Sequence, residues 1–177
     1  ADSVMYAKQG PINVYSAVSG SGTITNPGTD GPGRTLTFYS PASTFAGSIV
    51  NNGRFVLADN AVLNFMIGAS WLNNSVSGTG PQTTFNGDFT FDLNGAGTIY
   101  GDSWQIASAA GQTFGSTFTV AGFVNIGEGF WVTRHNNGTF YQFSQSTGQL
   151  SIFWPGSGTP EDPYQIWTPQ QMNTIGL

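Results

Sequence analysis

The chain has 177 residues, a formal net charge of −5, and only 7% charged residues, against about 25% in an ordinary soluble domain. Its four Lys and Arg are too few to neutralise the row of phosphates that a nucleic-acid binder meets, and so few charges also exclude a charge-laced helical bundle or coiled coil. With no Cys and 25 Gly, a disulfide scaffold and a thiolate-ligated metal are excluded too, and the length fits one domain.

The chain opens Ala1-Asp2-Ser3, without Met or a basic stretch. This reads as a mature end left by signal-peptide removal, so a secreted or cell-surface location is expected. Strands are predicted over Ile12–Val18, Thr35–Tyr39, Arg54–Leu57, Thr84–Leu93, Thr98–Ile106, Thr113–Val124, Phe130–Thr133, Thr139–Phe143 and Gln149–Trp154. All are rich in β-branched and aromatic residues. Alternation puts Phe89, Phe91 and Leu93 on one face and Asp88, Thr90 and Asp92 on the other. Turn formers separate the strands: Ser19–Gly22, Asn26–Gly33, Asn51-Asn52-Gly53, Ser77–Gly80, Asn94–Gly97 and Asn136-Asn137-Gly138. The longest apolar run, around Ala61–Trp71, is broken by Asn64, Gly68 and Ser70, short of the ~18 residues of a membrane span. Only Thr168–Ile175, with Pro169 one residue in, predicts a short helix.

Three phrases recur loosely. Gly-x-Gly-Thr-Ile occurs at Gly20–Ile24 and Gly95–Ile99; Asn-Asn-Gly-x-Phe occurs at Asn51–Phe55 and Asn136–Phe140. Thr-Phe-x-Gly occurs at Thr44–Gly47 and Thr84–Gly87, and shifted at Thr113–Gly115. The segment Phe45–Leu57, continued by Ser77–Phe91, resembles the coil phrase of right-handed parallel β-helices in bacterial exported surface proteins. These include autotransporter passengers and filamentous-haemagglutinin-like repeats. Gly156–Ile166 followed by Gln171-Met172-Asn173 is similar to a phrase that opens β-helical arrays in bacterial surface proteins. The resemblance implies an all-β, right-handed parallel β-solenoid over residues 1–154, with 155–177 a Pro- and Trp-rich extension or cap. At about 20–25 residues per coil, residues 10–150 make about six coils. The alternative fold is an antiparallel sandwich or jelly roll.

Few groups here suit chemistry. Asp88 and Asp92 share a strand face, but four residues along a strand is about 13 Å, too far for a retaining glycosidase pair; Asp102 and Glu128 lack a fixed relation to them. His135, the single His, precedes the Asn136-Asn137-Gly138 turn with no nucleophile motif beside it and reads as an exposed turn residue. Asp30, and Glu161 with Asp162, sit in oxygen-rich loops but lack a regular calcium-loop spacing. The sequons at Asn73 and Asn137 read as chance matches in a chain this rich in Asn and Thr. Of the Trp residues, Trp104, Trp131 and Trp154 fall in strand patterns and read as core, whereas Trp71 and Trp167 do not. The expectation is therefore a protein that is not an enzyme and needs no cofactor or metal. It is expected to be a structural subunit that polymerises head to tail with its own kind. Tyr164, Ile166, Trp167, Met172, Ile175 and Leu177 are the docking candidates at one end, and Val4 and Tyr6 at the other. The alternative is a carbohydrate-binding or adhesin module with polysaccharide as its partner.

Overall fold

Strands of period two turn every second side chain inward, and here the inside is the interior of a coil. A computed structural model describes residues 3–4, 10–28, 35–41, 44–69, 72–153, 156, 159–161 and 163. Among these the protein is all β without a helix, and its main body is a parallel β-solenoid of about four turns. The first turn carries β1 (Ser3–Val4), β2 (Ile12–Val14) and β3 (Ser19–Gly20). The second carries β4 (Ile24–Asn26), β5 (Thr35–Phe38) and β6 (Thr44–Phe45). The third carries β7 (Ile49–Asn51), β8 (Arg54–Leu57) and β9 (Val62–Met66). The fourth carries β10 (Val76–Ser77), β11 (Gln82–Phe85) and β12 (Asp88–Asp92). After β13 (Ser103–Gln105), a partial turn follows: Ala107 bridges Val76, β14 (Gln112–Phe114) pairs with β11, and Val120 bridges Phe89.

Stacking the turns makes parallel sheets in the orders β1-β4-β7-β10 and β2-β5-β8-β11-β14, with a third face built from β3-β6 and β9-β12. Along the first sheet the turns lengthen, from a step of 21 residues at Ser3–Ile24 through 25 at Ile24–Ile49 and 27 at Ile49–Val76 to 31 at Val76–Ala107, while the second sheet has a step of only 19 at Leu36–Phe55.

Two devices hold the stack. Inside, Leu36, Phe55 and Thr83 form one column in register, and Phe38, Leu57, Phe85 and Phe114 another. Phe89 is the hub of the rings, with centroids of Phe65 at 4.8 Å, Phe118 at 4.9 Å, Phe85 at 5.0 Å and Phe143 at 5.7 Å. At the corner between the first two sheets, buried amides replace apolar packing. Asn26 Nδ2 donates to Asn51 Oδ1 at 2.8 Å, and Asn51 Nδ2 donates to Thr83 Oγ1 at 2.9 Å. A buried polar group is tolerated when its partners are all present, and stacked Asn supplies a donor and an acceptor at each level. Backbone passes so close above this corner that a Cβ on Gly78, whose φ is +122°, would lie 2.1 Å from Asn51 O. Only glycine fits there.

Beyond the partial turn the chain changes pairing. β15 (Val124–Gly127), β16 (Phe130–Arg134), β17 (Phe140–Ser144) and β18 (Gln149–Ile152) form an antiparallel sheet with β13, in the order β13-β18-β17-β16-β15. Phe143 carries this sheet onto Phe89 and Phe114, and Trp131 meets Phe118 edge-on at 5.8 Å. The count of about six coils is therefore corrected to about four, because residues 124–152 spend their strands on one another. The antiparallel alternative holds for this sheet alone. Thr84–Leu93 is two parallel strands bent at Asn86-Gly87, and Thr98–Ile106 is strand only over Ser103–Gln105. The predicted helix at Thr168–Ile175 lies outside the described residues.

Candidate functional site

Two kinds of surface feature stand out among the described residues, the ends of the solenoid and a groove on its side. The ends differ. At the far end, Ile106 N and Ala107 N both donate to Gly148 O, which closes the edge of the first sheet, and Phe143 covers the core. At the near end, β1 and β2 are each outermost in their sheets and β3 pairs only with β6, among the described residues. There Tyr15 and Tyr39 stack at 4.8 Å with their planes 13° apart, and both are exposed, Tyr15 by 69%. Both rings follow inward residues, Val14 and Phe38, that pair across β2 and β5. Among the described residues the second sheet also ends in β14 at the far side, where it pairs with β11 alone.

The groove, of about 390 Å³, is lined by Thr44, Ala46, Asn64, Met66, Thr90, Phe91 and Asp92. Thr90 donates to Asn64 Oδ1 across its floor. Asp92, the one ionisable side chain in it, accepts from Asn94 Nδ2 at 2.7 Å. Asp88, on the same face, takes the hydroxyl of Thr119 at 2.6 Å. Both carboxylates thus serve as local acceptors that tie loops or adjacent turns.

Comparison with family models, with curated proteins and with solved structures returns no match.

The structure sorts the other candidates plainly. Trp104 is buried and donates from Nε1 to Gly68 O at 2.8 Å, and Trp131 is buried against Phe118. Neither offers a ring face to a sugar. His135 is half-buried rather than exposed, its ring 6.2 Å from that of Tyr141. Burial pushes the Tyr141 hydroxyl above its ordinary pKa and the Asp102 charge adds to this, against hydrogen bonding with Asn137 and Thr139. That hydroxyl donates to Gly97 O at 3.0 Å. Glu128 sits in the β15–β16 turn at a φ of 51°. Among the described residues no three His, Asp or Glu gather as metal ligands. Glu161 is exposed, while Asp30 and Asp162 lie outside the described residues. Asn73 uses its amide internally, donating to Gln105 O at 2.8 Å, whereas Asn137 is exposed and caps its own turn by accepting from Thr139 N.

Of the docking candidates, Val4 lies in β1, paired with Thr25. Tyr6, Tyr164, Ile166, Trp167, Met172, Ile175 and Leu177, with Trp71 and Trp154, lie outside the described residues. Sequence reasoning missed β2 with its Tyr15–Tyr39 pair and β14 as opposite edges of one sheet. The signal available was the repeated inward-residue-then-Tyr pattern at Val14-Tyr15 and Phe38-Tyr39.

Proposed function

We propose that this protein is an extracellular structural subunit that joins end to end with copies of itself, like the exported β-helix proteins its coil phrases resemble. The observation that supports this most is the near end of the solenoid, where β1, β2 and β3 stand outermost among the described residues. An uncovered strand edge is a template for another chain. A chain with only 7% charged residues puts little repulsion in the way of contact. Contact between unlike ends is heterologous and does not close, so it gives a filament rather than a ring. On this reading Val4, in β1, lies at the receiving end, and Tyr6 and the apolar residues between Tyr164 and Leu177 are the candidates for a second staple. A second reading, a polysaccharide-binding module, draws on the exposed Tyr15–Tyr39 pair, since flat aromatic faces suit sugar rings.

Sizing in native buffer, followed by electron microscopy, separates the two. The expected result is particles that grow with concentration well beyond the 18.7 kDa chain. A single species of chain size at every concentration sinks the assembly reading. If that species is also retained on immobilised polysaccharide, the second reading takes its place.

A further inference from the structure

Independently of that reading, we infer that Asn94-Gly95 is a site of spontaneous modification. In the folded chain Asn94 converts to aspartate or isoaspartate with water as the only co-reactant, while the fold shields the other Asn-Gly pairs. The sequence holds four such pairs, Asn52-Gly53, Asn86-Gly87, Asn94-Gly95 and Asn137-Gly138. Glycine has no Cβ to crowd its own nitrogen, so in an unfolded chain each pair is open to the same cyclisation. The glycine nitrogen gives up its proton and its lone pair attacks the side-chain carbonyl carbon of the asparagine. A new N–C bond forms, the bond from that carbon to Nδ2 breaks, and the side-chain nitrogen leaves as ammonia with the proton. Water then opens the cyclic imide at either carbonyl carbon. One opening gives aspartate and the other gives isoaspartate, in which the main chain runs through the side chain. Nothing is oxidised or reduced.

The nucleophile is the glycine nitrogen, and the four pairs differ in what holds it. Gly53 N donates to Asn51 Oδ1 at 3.1 Å, in the corner of buried amides. Gly87 N donates to Leu57 O at 3.3 Å, on the preceding turn. Gly138 N donates to His135 O at 2.8 Å and closes the turn between β16 and β17. Gly95 N donates to nothing among the described residues. It lies inside a turn closed by Ala96 N on Leu93 O at 3.1 Å, and both Asn94 and Gly95 are exposed. The asparagines differ too. Asn52 is pinned through Oδ1 by Thr79 N at 3.1 Å, and Asn86 is half-buried. Asn94 is tied only by Nδ2 on Asp92 Oδ1 at 2.7 Å, a bond between exposed groups for which water competes. The product alters the groove next to it. Asp92, the one ionisable side chain among those lining it, loses the Nδ2 donor and gains a second carboxylate two residues away.

Incubation of the folded protein in mildly alkaline buffer, followed by peptide mapping with mass spectrometry, tests this. Asn94 is expected to convert at least about tenfold faster than Asn52, Asn86 and Asn137, because each of those must first open a hydrogen bond and the structure around it. The same chain held in urea is expected to convert all four pairs at similar rates. Asn94→Gln, whose longer side chain must close a larger ring, should remove the early product and leave the rest of the map unchanged. A folded chain in which another pair converts first overturns the inference, as does one in which Asn94 stays intact while the urea-treated chain converts. Equal preference for Asn94 in urea also overturns it, since the selection would then lie in the local sequence and not in the fold.

Discussion

Phe89→Ala is expected to lower stability by about 4 kcal/mol, in the middle of the range of about 3–5 kcal/mol for aromatic truncation in a core. The ring is fully buried and touches five others, those of Phe65, Phe85, Phe114, Phe118 and Phe143. Those rings come from the third turn, the fourth turn, the partial turn and the antiparallel sheet. Truncation therefore leaves a cavity where four pieces of structure meet, and no single element can shift to fill it. The backbone offers little relief, because Phe89 is pinned on both sides, pairing with Leu63 and bridging Val120. For a chain of this size each kcal/mol moves Tm by roughly 2–4 °C, so calorimetry should show a fall of about 8–16 °C. Phe89→Leu should recover most of the loss. Tyr100→Ala, at a side chain 71% exposed, should stay within about 0.5 kcal/mol of the parent. A Phe89→Ala variant that melts within a few degrees of the parent would show that the ring cluster is not the centre of the fold.

Asn51→Leu is expected to cost about 3 kcal/mol through an opposite mechanism, since the replacement is more apolar than the original. Asn51 is fully buried and every polar atom of its side chain is used. Its Oδ1 accepts from Asn26 Nδ2 at 2.8 Å and from Gly53 N at 3.1 Å, and its Nδ2 donates to Thr83 Oγ1 at 2.9 Å and Gln82 O at 3.1 Å. Leucine strips a partner from four groups at once. A buried group left unmatched costs about 1–3 kcal/mol, and part of that is recovered where a second partner exists, as Arg54 O does for Asn26 at 3.0 Å. Asn51→Asp separates the two halves of the amide. It keeps the acceptors for Asn26 and Gly53 and loses the donors, so at pH 7 it places a carboxylate among carbonyl and hydroxyl oxygens. Protonation returns one donor, so its deficit relative to the parent should shrink as pH falls towards 4. Urea unfolding of both variants and the parent at the two pH values checks this. Equal deficits for Asn51→Asp at both would remove the amide ladder from the account.

The alternation that marks Phe89, Phe91 and Leu93 as one face and Asp88, Thr90 and Asp92 as the other is a property of single strands, and it holds in the structure. The corner at Asn86-Gly87 was not legible, because it occupies two residues and leaves the alternation in phase. Which strands pair was legible only in part. Thr84-Phe85 and Thr113-Phe114, which share a phrase, stack in register, but Thr44-Phe45, which shares it too, pairs with Ser19-Gly20 instead. The phrase Asn-Asn-Gly-x-Phe misleads. At Asn51 the side chain points inward and meets residues 25 and 32 positions away. At Asn137 it points outward and caps the turn two residues on. The same letters make a solenoid corner or a hairpin depending on where the next strand finds its partner. Ile24 and Ile99 tell the same story: one is 3% exposed in the core and the other is 72% exposed on a loop. Of the site, the core placement of Trp104 and Trp131 followed from their strand patterns. The two edges of the second sheet did not, because an edge is defined by what fails to pair with it.

The antiparallel sheet has a kinetic consequence. Its strands β15 to β18 are neighbours in sequence and close through short turns, whereas each turn of the solenoid must find a partner 19 to 31 residues away. Loop closure costs more entropy over such spans, and local pairing forms faster. Residues 124–152 are therefore expected to order first and to offer Gly148 and Phe143 as a template on which the turns zip down in sequence, as in other quasi-one-dimensional arrays. Pulse-labelled hydrogen exchange should find amides of 130–144 protected before those of 24–57, and the reverse order would refute the template. Ribosomal synthesis delivers the chain in the opposite direction. On this order the turns made earlier wait for the segment made after them, and β2 is expected to be the last strand of its sheet to form.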